Sequence, residues 1–312
     1  MSTVDESQRL YVLGHPVGHS KSPALHNALY RALGLPWSYG LADLPTKADA
    51  QEFLAKRDFL GANVTTPYKP VAFSEADAKA ASAKLALGAN VLAVRDGRLV
   101  AYNTDGQGCV MALRRAGLSL EGASVAVCGT GPTSLSILHA CAASGAGDVL
   151  LLSRDKRKAE VQLSDYLERL GHLARSSRLL PTAALGEENL SAVLESTRFR
   201  FGAYETARHA LAEADLVVNA TPLGMREGDP APFDTKVLHE GQTVLQAVYG
   251  HGETALQRGC AAQGARFLDG RGMLVGQAVA TARILFDLNQ VECALDDAQV
   301  FDIMARGAGF DL

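Results

Sequence analysis

Residues 123–131, ASVAVCGTG, form an apolar run that ends on two glycines and leads straight into the helical stretch SLSILHACAASG at 134–145. An uninterrupted apolar strand is buried on both faces, and a strand that turns through glycines into a helix belongs to a parallel sheet covered by helices. Further runs of the same kind follow: DVLLLSRD (148–155), DLVVNATP (215–222), TVLQAV (243–248) and ARFLDG (265–270), separated by helical stretches. This alternation predicts a doubly wound α/β block starting near Gln107. The segment from about Gly171 to His209 is longer than one crossover requires and holds several Arg, Ser and Pro residues, which predicts an added helix or an exposed excursion.

The first hundred residues alternate as well. RLYVLG (9–14) is an apolar run ended by glycine, and Ser22-Pro23 reads as an N-cap and first helical residue opening a helix to Leu33, closed by Gly34. WSYGLADL (37–44) predicts a strand, TKADAQEFLAKR (46–57) an amphipathic helix and GANVT (61–65) another strand. An Ala- and Lys-rich stretch at about 74–87 predicts a helix. NVLAVRDGRLVAYNT then alternates around Asp96-Gly97, a good hairpin turn pair, and the hairpin delivers Asp105 to its end. From Met273 the pattern is helical again, through Gln277 to Leu288.

A chain of 312 residues with 47% hydrophobic content can bury a large core and divide into two domains. Thirty basic against thirty-four acidic residues, with no basic block, argue against a nucleic-acid partner. The start MSTVDESQRL is polar and acidic where a signal peptide is basic then apolar, and no run approaches a membrane span, so a cytoplasmic protein without membrane attachment is expected. The five cysteines are odd in number and lack metal-ligand spacing, which predicts neither disulfides nor a metal site. His15, His19 and His26 crowd one segment, but their spacing shows no carboxylate companion; His19 is expected to shape the loop it sits on.

Two short segments carry chemistry: GANVTTPYK (61–69) and YNTDG (102–106). Proline at 67 stops a strand, so Lys69 lies just past a strand end, where open α/β sheets bind ligands. A lone lysine is usually a solvated surface group. Here it has company in LGHPVGHSKSPALHN (13–27) and DGRGMLVGQA (269–278). These four segments, in this order and with the glycine loop between the last two, resemble the motifs of the shikimate dehydrogenase family along nearly the whole chain.

The resemblance implies a two-domain α/β fold: an N-terminal α/β substrate domain from residues 1–105 and 270–312, and a Rossmann-like doubly wound dinucleotide-binding domain from 106–269. It implies NADPH-dependent, reversible reduction of 3-dehydroshikimate to shikimate, with Lys69 and Asp105 as the catalytic pair. The chemistry asks for such a pair, because a cationic donor stabilises the charge that builds on a ketone oxygen and a nearby carboxylate keeps that donor charged and oriented. Ser20 and Ser22 match the family's carboxylate-binding serines, and Tyr249 supplies a third hydroxyl. Thr65, Asn90 and Gln277 match positions that contact ring hydroxyls, although the family's Gly-Ala-Val-Asn-Thr reads Gly88-Ala89-Asn90-Val91 here, one residue short.

For the coenzyme, the resemblance implies the loop Gly129, Thr130, Gly131, Pro132, Thr133 and Ser134, with Ser134 in place of the third glycine and Pro132 lacking an N–H donor. Ser153 and Arg154 fall where the family clamps the 2′-phosphate of NADP, while Asp155 beside them would suit the ribose of NAD. Thr221, Ala247, Gly270 and Met273 complete the expected cofactor set. Gln246 and His251 replace an aspartate and a proline usual in the family. The expected partners are a small-molecule substrate and the coenzyme, in a monomer or homodimer. Two rival readings stand beside this one: an NAD-linked quinate/shikimate dehydrogenase, and a non-catalytic binding or regulatory relative.

Overall fold

The computed structural model describes residues 9–177 and 190–312. The chain is an α/β protein that divides into two compact units, Met1–Gly108 with Leu274–Leu312, and Cys109–Met273.

In the first unit, β1 (Arg9–Gly14), α1 (Ser22–Ala32), β2 (Ser38–Asp43), α2 (Lys47–Lys56) and β3 (Gly61–Val64) follow one another as expected. Then come α3 (Lys69–Glu75), β4 (Ala78–Lys79), α4 (Ala81–Ala86), β5 (Val91–Arg95) and β6 (Arg98–Tyr102). The mixed sheet runs β2-β1-β3-β5-β6-β4. Strands β1, β2 and β3 are parallel, and the hairpin β5–β6 is antiparallel and turns on Asp96 and Gly97, both at positive φ. Leu13, Leu54, Phe59, Val64, Leu92 and Leu99 form its core.

Two local expectations fail here, the second for a tertiary reason. Ser22 is the first helical residue of α1 and Lys21 holds the cap position; Ser20 Oγ accepts the Ser22 N–H at 3.3 Å. The helix expected over 74–87 is broken by β4. Asp77 N–H donates to Leu99 O and Ala80 N–H to Ala101 O, while the Asp77 carboxylate accepts the Leu99 N–H at 2.7 Å, so pairing along the edge of β6 overrides helix propensity.

In the second unit, β7 (Ser124–Cys128), β8 (Asp148–Ser153), β9 (Arg198–Ala203), β10 (Leu216–Asn219), β11 (Thr243–Gln246) and β12 (Arg266–Leu268) make an all-parallel Rossmann-like sheet in the order β12-β11-β10-β7-β8-β9. Its helices are α6 (Pro132–Ala143), α7 (Lys156–Ser177), α8 (Leu190–Ser196), α9 (Arg208–Ala212) and α10 (Ala255–Gln263). Helix α8 is an added helix of the kind expected in 171–209, and strand β9 is a further addition that the expectation did not include; residues 178–189 of that segment lie outside the described residues. Its RFRF alternation suits an edge strand: Arg200 Nε reaches Asp148 Oδ1 at 2.8 Å and Phe199 packs against Tyr166. The division between units falls inside α5 (Asp105–Arg115) and α11 (Gly270–Leu288). In the first unit α12 (Asp297–Gly307), opened by an Asp296–Gln299 capping box, packs on α1.

All five cysteines are free. Among the described residues no helix is long and apolar enough to cross a membrane.

Candidate active site

Strand β3 ends at Val64, and the chain turns sharply. Thr65 N–H donates to Leu13 O, Tyr68 N–H closes the turn onto Thr65 O at 2.9 Å, and Tyr68 OH is pinned to Leu44 O at 2.6 Å. The turn fits because residue 14 is glycine: a Cβ there would lie 2.4 Å from Thr65 Cγ2 and 3.0 Å from Thr66 O. Lys69 then opens α3, with 17% of its side chain exposed, and its Nζ pairs with Asp105 Oδ2. Asp105 opens α5, a position that favours a negative charge. Its N–H donates to Asn103 Oδ1 at 3.0 Å, and Asn103 Nδ2 is in turn anchored on Gly88 O at 2.9 Å.

The second carboxylate oxygen is also occupied. Asn90 Nδ2 donates to Asp105 Oδ1 at 2.9 Å, while Asn90 Oδ1 accepts the Thr104 N–H at 2.7 Å. Gln277, on α11, places Oε1 3.4 Å from Asn90 Nδ2 and donates its Nε2 to Leu274 O at 2.8 Å. Four of the residues singled out in the sequence, Lys69, Asp105, Asn90 and Gln277, therefore form one connected polar cluster. Thr65, Ser20 and Ser22 belong to the same unit, with Ser22 buried and Ser20 and Thr65 partly so. Tyr249 belongs to the second unit, three residues beyond β11.

Sequence reasoning gave no role to four buried members of this network: Tyr39, Asn63, Thr104 and Thr281. The available signal was an asparagine inside GANV, a strand whose four residues are all buried. The histidine expectation also needs correction. His15 Nδ1 lies 2.8 Å from Asp43 Oδ1, because the parallel register sets Gly14 beside Asp43 and so brings together residues 28 apart. His26 is fully buried on α1, stacks on Tyr39 at 4.4 Å and bonds Tyr30 OH; burial lowers its pKa to about 3 and keeps it neutral. His19 is exposed on the loop that carries Ser20.

In the second unit the glycine loop joins β7 to α6. Gly129 sits at φ +112, where a side chain would be strained, and a Cβ would also lie 2.5 Å from Ser134 Oγ. Pro132 occupies the first helical turn, where its missing N–H breaks no helical hydrogen bond. Helix α6 starts without a side-chain cap, nothing lies within 4 Å of where a Gly131 Cβ would be, and Ser134 Oγ is buried with no hydrogen-bond partner among the described residues. An uncapped helix start, an open glycine and an orphaned hydroxyl together fit a dinucleotide pyrophosphate.

Beyond this loop Ser153 ends β8, buried, and Arg154 is exposed. Arg154 lines a cavity of about 390 Å³ with Tyr204, Arg208 and Phe233. Asp155 is committed locally, accepting the Arg157 N–H at 2.9 Å at the start of α7. Thr221 donates both N–H and Oγ1 to Asn219 Oδ1. Ala247 is bonded through its N–H to Asn219 O, and Gly270 packs so closely on it that a Cβ would lie 2.3 Å from Ala247 O. Met273 is buried on α11. Gln246, where the family carries an aspartate, is buried and accepts Thr254 Oγ1 at 3.0 Å.

Comparisons with known proteins identify relatives of the chain. The family model described as the shikimate dehydrogenase substrate binding domain matches residues 12–92. The chain is 33% identical over 282 residues to the shikimate dehydrogenase (NADP(+)) of Rubrobacter xylanophilus, covering 89% of this chain and 90% of that protein. It is 36% identical to that of Salinibacter ruber, covering 94% and 96%. Among solved structures, shikimate 5-dehydrogenase from Thermus thermophilus in complex with NADP(H) and shikimate superposes with a TM-score of 0.74 at 25% identity, covering 96% of this chain and 99% of that one. With relatives this similar across nearly its full length, the chain belongs to the shikimate dehydrogenase family.

Proposed function

We propose that the chain catalyses the NADP(H)-dependent, reversible interconversion of 3-dehydroshikimate and shikimate, a step toward chorismate and the aromatic amino acids. The observation that carries this reading is the Lys69–Asp105 ion pair, with Asn90 on the other carboxylate oxygen. In this reading residues 1–105 and 270–312 bind the substrate and 106–269 the coenzyme. Substrate and coenzyme are soluble metabolites, which suits a cytoplasmic enzyme.

NADPH, when bound, supplies the hydride that adds to the C3 carbonyl carbon; Gly129–Ser134 would hold its pyrophosphate, Ser153 and Arg154 its 2′-phosphate, and Thr221, Ala247, Gly270 and Met273 its nicotinamide end. As the carbonyl becomes an alkoxide, negative charge grows on oxygen. The Lys69 ammonium stabilises that charge and transfers a proton from Nζ to the oxygen, completing the hydroxyl; in the oxidative direction neutral Lys69 takes the proton back. Asp105 orients Lys69 and accepts a ring hydroxyl, fixing the ring relative to the donor. Asn90, Gln277 and Thr65 bind the remaining ring oxygens, and Ser20 and Ser22 take the carboxylate through hydroxyl donors.

Arg154 supports NADP over NAD. Asp155, the residue that favours NAD in the sequence, has its carboxylate on the Arg157 N–H, as a helix-start acceptor does. Steady-state assays with both coenzymes and with shikimate and quinate test the assignment. The expected result is NADP-linked shikimate oxidation as the preferred reaction; preferred NAD-linked quinate oxidation would replace it, and shikimate binding with no turnover would make the chain a binding relative.

A further inference from the structure

Backbone groups, which can only donate or only accept, dictate the direction of the hydrogen bonds behind the catalytic pair. The Thr104 N–H can only donate, so the Asn90 atom 2.7 Å from it is oxygen and Asn90 must offer nitrogen to Asp105. The Leu274 carbonyl can only accept, so the Gln277 atom 2.8 Å from it is Nε2, and Gln277 Oε1 is the atom that faces Asn63, 3.3 Å from Asn63 Nδ2. The Asn90 carbonyl, 3.3 Å from Asn63, independently demands the same nitrogen there. That leaves Asn63 Oδ1 for the Tyr39 hydroxyl, which donates to it at 2.7 Å. Thr281 Oγ1, 3.2 Å from Asn63 Nδ2, donates to Gln277 O at 2.8 Å and so presents a lone pair to Asn63. None of Asn90, Gln277 and Asn63 can turn over without setting oxygen against oxygen or nitrogen against nitrogen.

These groups are buried, where a mispaired polar atom is costly. Burial also pushes the Tyr39 hydroxyl pKa up, so it remains a donor, and the ring is stacked on a His26 that burial keeps neutral. The geometry points to Tyr39 and Asn63 as positioning residues that hold Gln277 with its oxygen inward and its remaining Nε2–H as a donor, so that a polyhydroxylated ring meets a donor at Gln277 and an acceptor at Asp105. This rests on the reading of Gln277 as a substrate-binding residue. Neither Tyr39 nor Asn63 needs to touch the substrate; each acts through Gln277.

A double-mutant cycle in the full-length protein tests it. Asn63→Ala is expected to raise KM for shikimate about tenfold, the size of one lost hydrogen bond, with KM for NADP unchanged. Gln277→Ala should do the same, and the double variant should be no worse than about tenfold, because the second change removes an interaction already lost. A hundredfold, additive loss in the double variant would overturn the inference, as would an unchanged shikimate KM in Asn63→Ala. Tyr39→Phe keeps the ring on His26 and removes only the hydroxyl, leaving Asn63 Oδ1 without its donor. It is expected to raise KM for shikimate about threefold. If Asn63→Ala does not fold, this variant decides, and an unchanged KM rejects the role. A wild-type protein that does not oxidise shikimate would remove the proposed function and this inference together, whereas an active wild type with additive variants would remove only the inference.

Discussion

Asn90 presents its amide nitrogen to Asp105 Oδ1 at 2.9 Å, while Lys69 pairs with Asp105 Oδ2. Both oxygens of Asp105 are thereby assigned, one to a cation and one to a neutral donor, and the carboxylate has little freedom to rotate. A carboxylate held this way orients its lysine without needing a second cation.

The pair should behave as a unit. Lys69→Ala is expected to lower kcat by at least about a hundredfold, with a smaller change in KM, as loss of a positioned acid–base group does. Asp105→Asn puts a second N–H either toward Lys69 or toward Asn90 and should also lower kcat about a hundredfold. The double variant should lose much less than the product of the two. Single-turnover and steady-state rates check this, and near-wild-type turnover in Lys69→Ala would remove the lysine from the mechanism.

Arg154→Ala should raise KM for NADPH about tenfold while leaving KM for NADH nearly unchanged, since a guanidinium–phosphate contact exists only with the phosphorylated coenzyme. Paired coenzyme titrations at fixed 3-dehydroshikimate measure the difference. Equal effects on both coenzymes would shift the 2′-phosphate to other residues.

Burial of His26 makes stability depend on acid. Its folded pKa is about 3 against an ordinary 6.5, so below pH 6.5 the unfolded chain takes up a proton that the folded chain refuses. The contribution of a neutral His26 is complete above pH 6.5 and is lost as pH falls toward about 3. His26→Phe should be less stable than wild type at pH 7.5, through the lost bond to Tyr30, yet lose less stability between pH 6.5 and 4.5. Urea unfolding at these pH values reads the two slopes, and parallel slopes would contradict the assignment.

Close packing at Gly270 predicts a loss of stability, in addition to any effect at the nicotinamide end. With a Cβ 2.3 Å from Ala247 O, Gly270→Ala forces the start of α11 away from the end of β11 and should cost about 1–3 kcal/mol, visible as a lower Tm. Gly131→Ala meets nothing within 4 Å and should change Tm little, while raising KM for NADPH by crowding the loop. A Tm unchanged in Gly270→Ala would show that the helix start yields freely.

Much of the architecture was readable from local pattern. The apolar runs of both sheets, the Asp96-Gly97 hairpin and the glycine loop follow from burial periodicity and from residues that only certain turns accept, and these are properties a segment carries alone. Lys69, Asp105, Asn90 and Gln277 were readable as members of motifs. Strand β9 was not, because its four-residue RFRF alternation is short and partly exposed and becomes a strand only by pairing with β8. The break of the helix over 74–87 was likewise invisible, since the backbone groups that create β4 belong to β6.

What remained hidden were relations between distant residues. His15 finds Asp43 through strand register, and Tyr39, Asn63, Thr104 and Thr281 join the site through hydrogen bonds between residues up to 218 apart in sequence. Local composition settled most of the strands, helices and turns, β4 and β9 excepted, because those preferences depend on neighbours along the chain. Folding settled which buried amide faces which partner, because the direction of a hydrogen bond is imposed by backbone donors and acceptors that meet only in three dimensions.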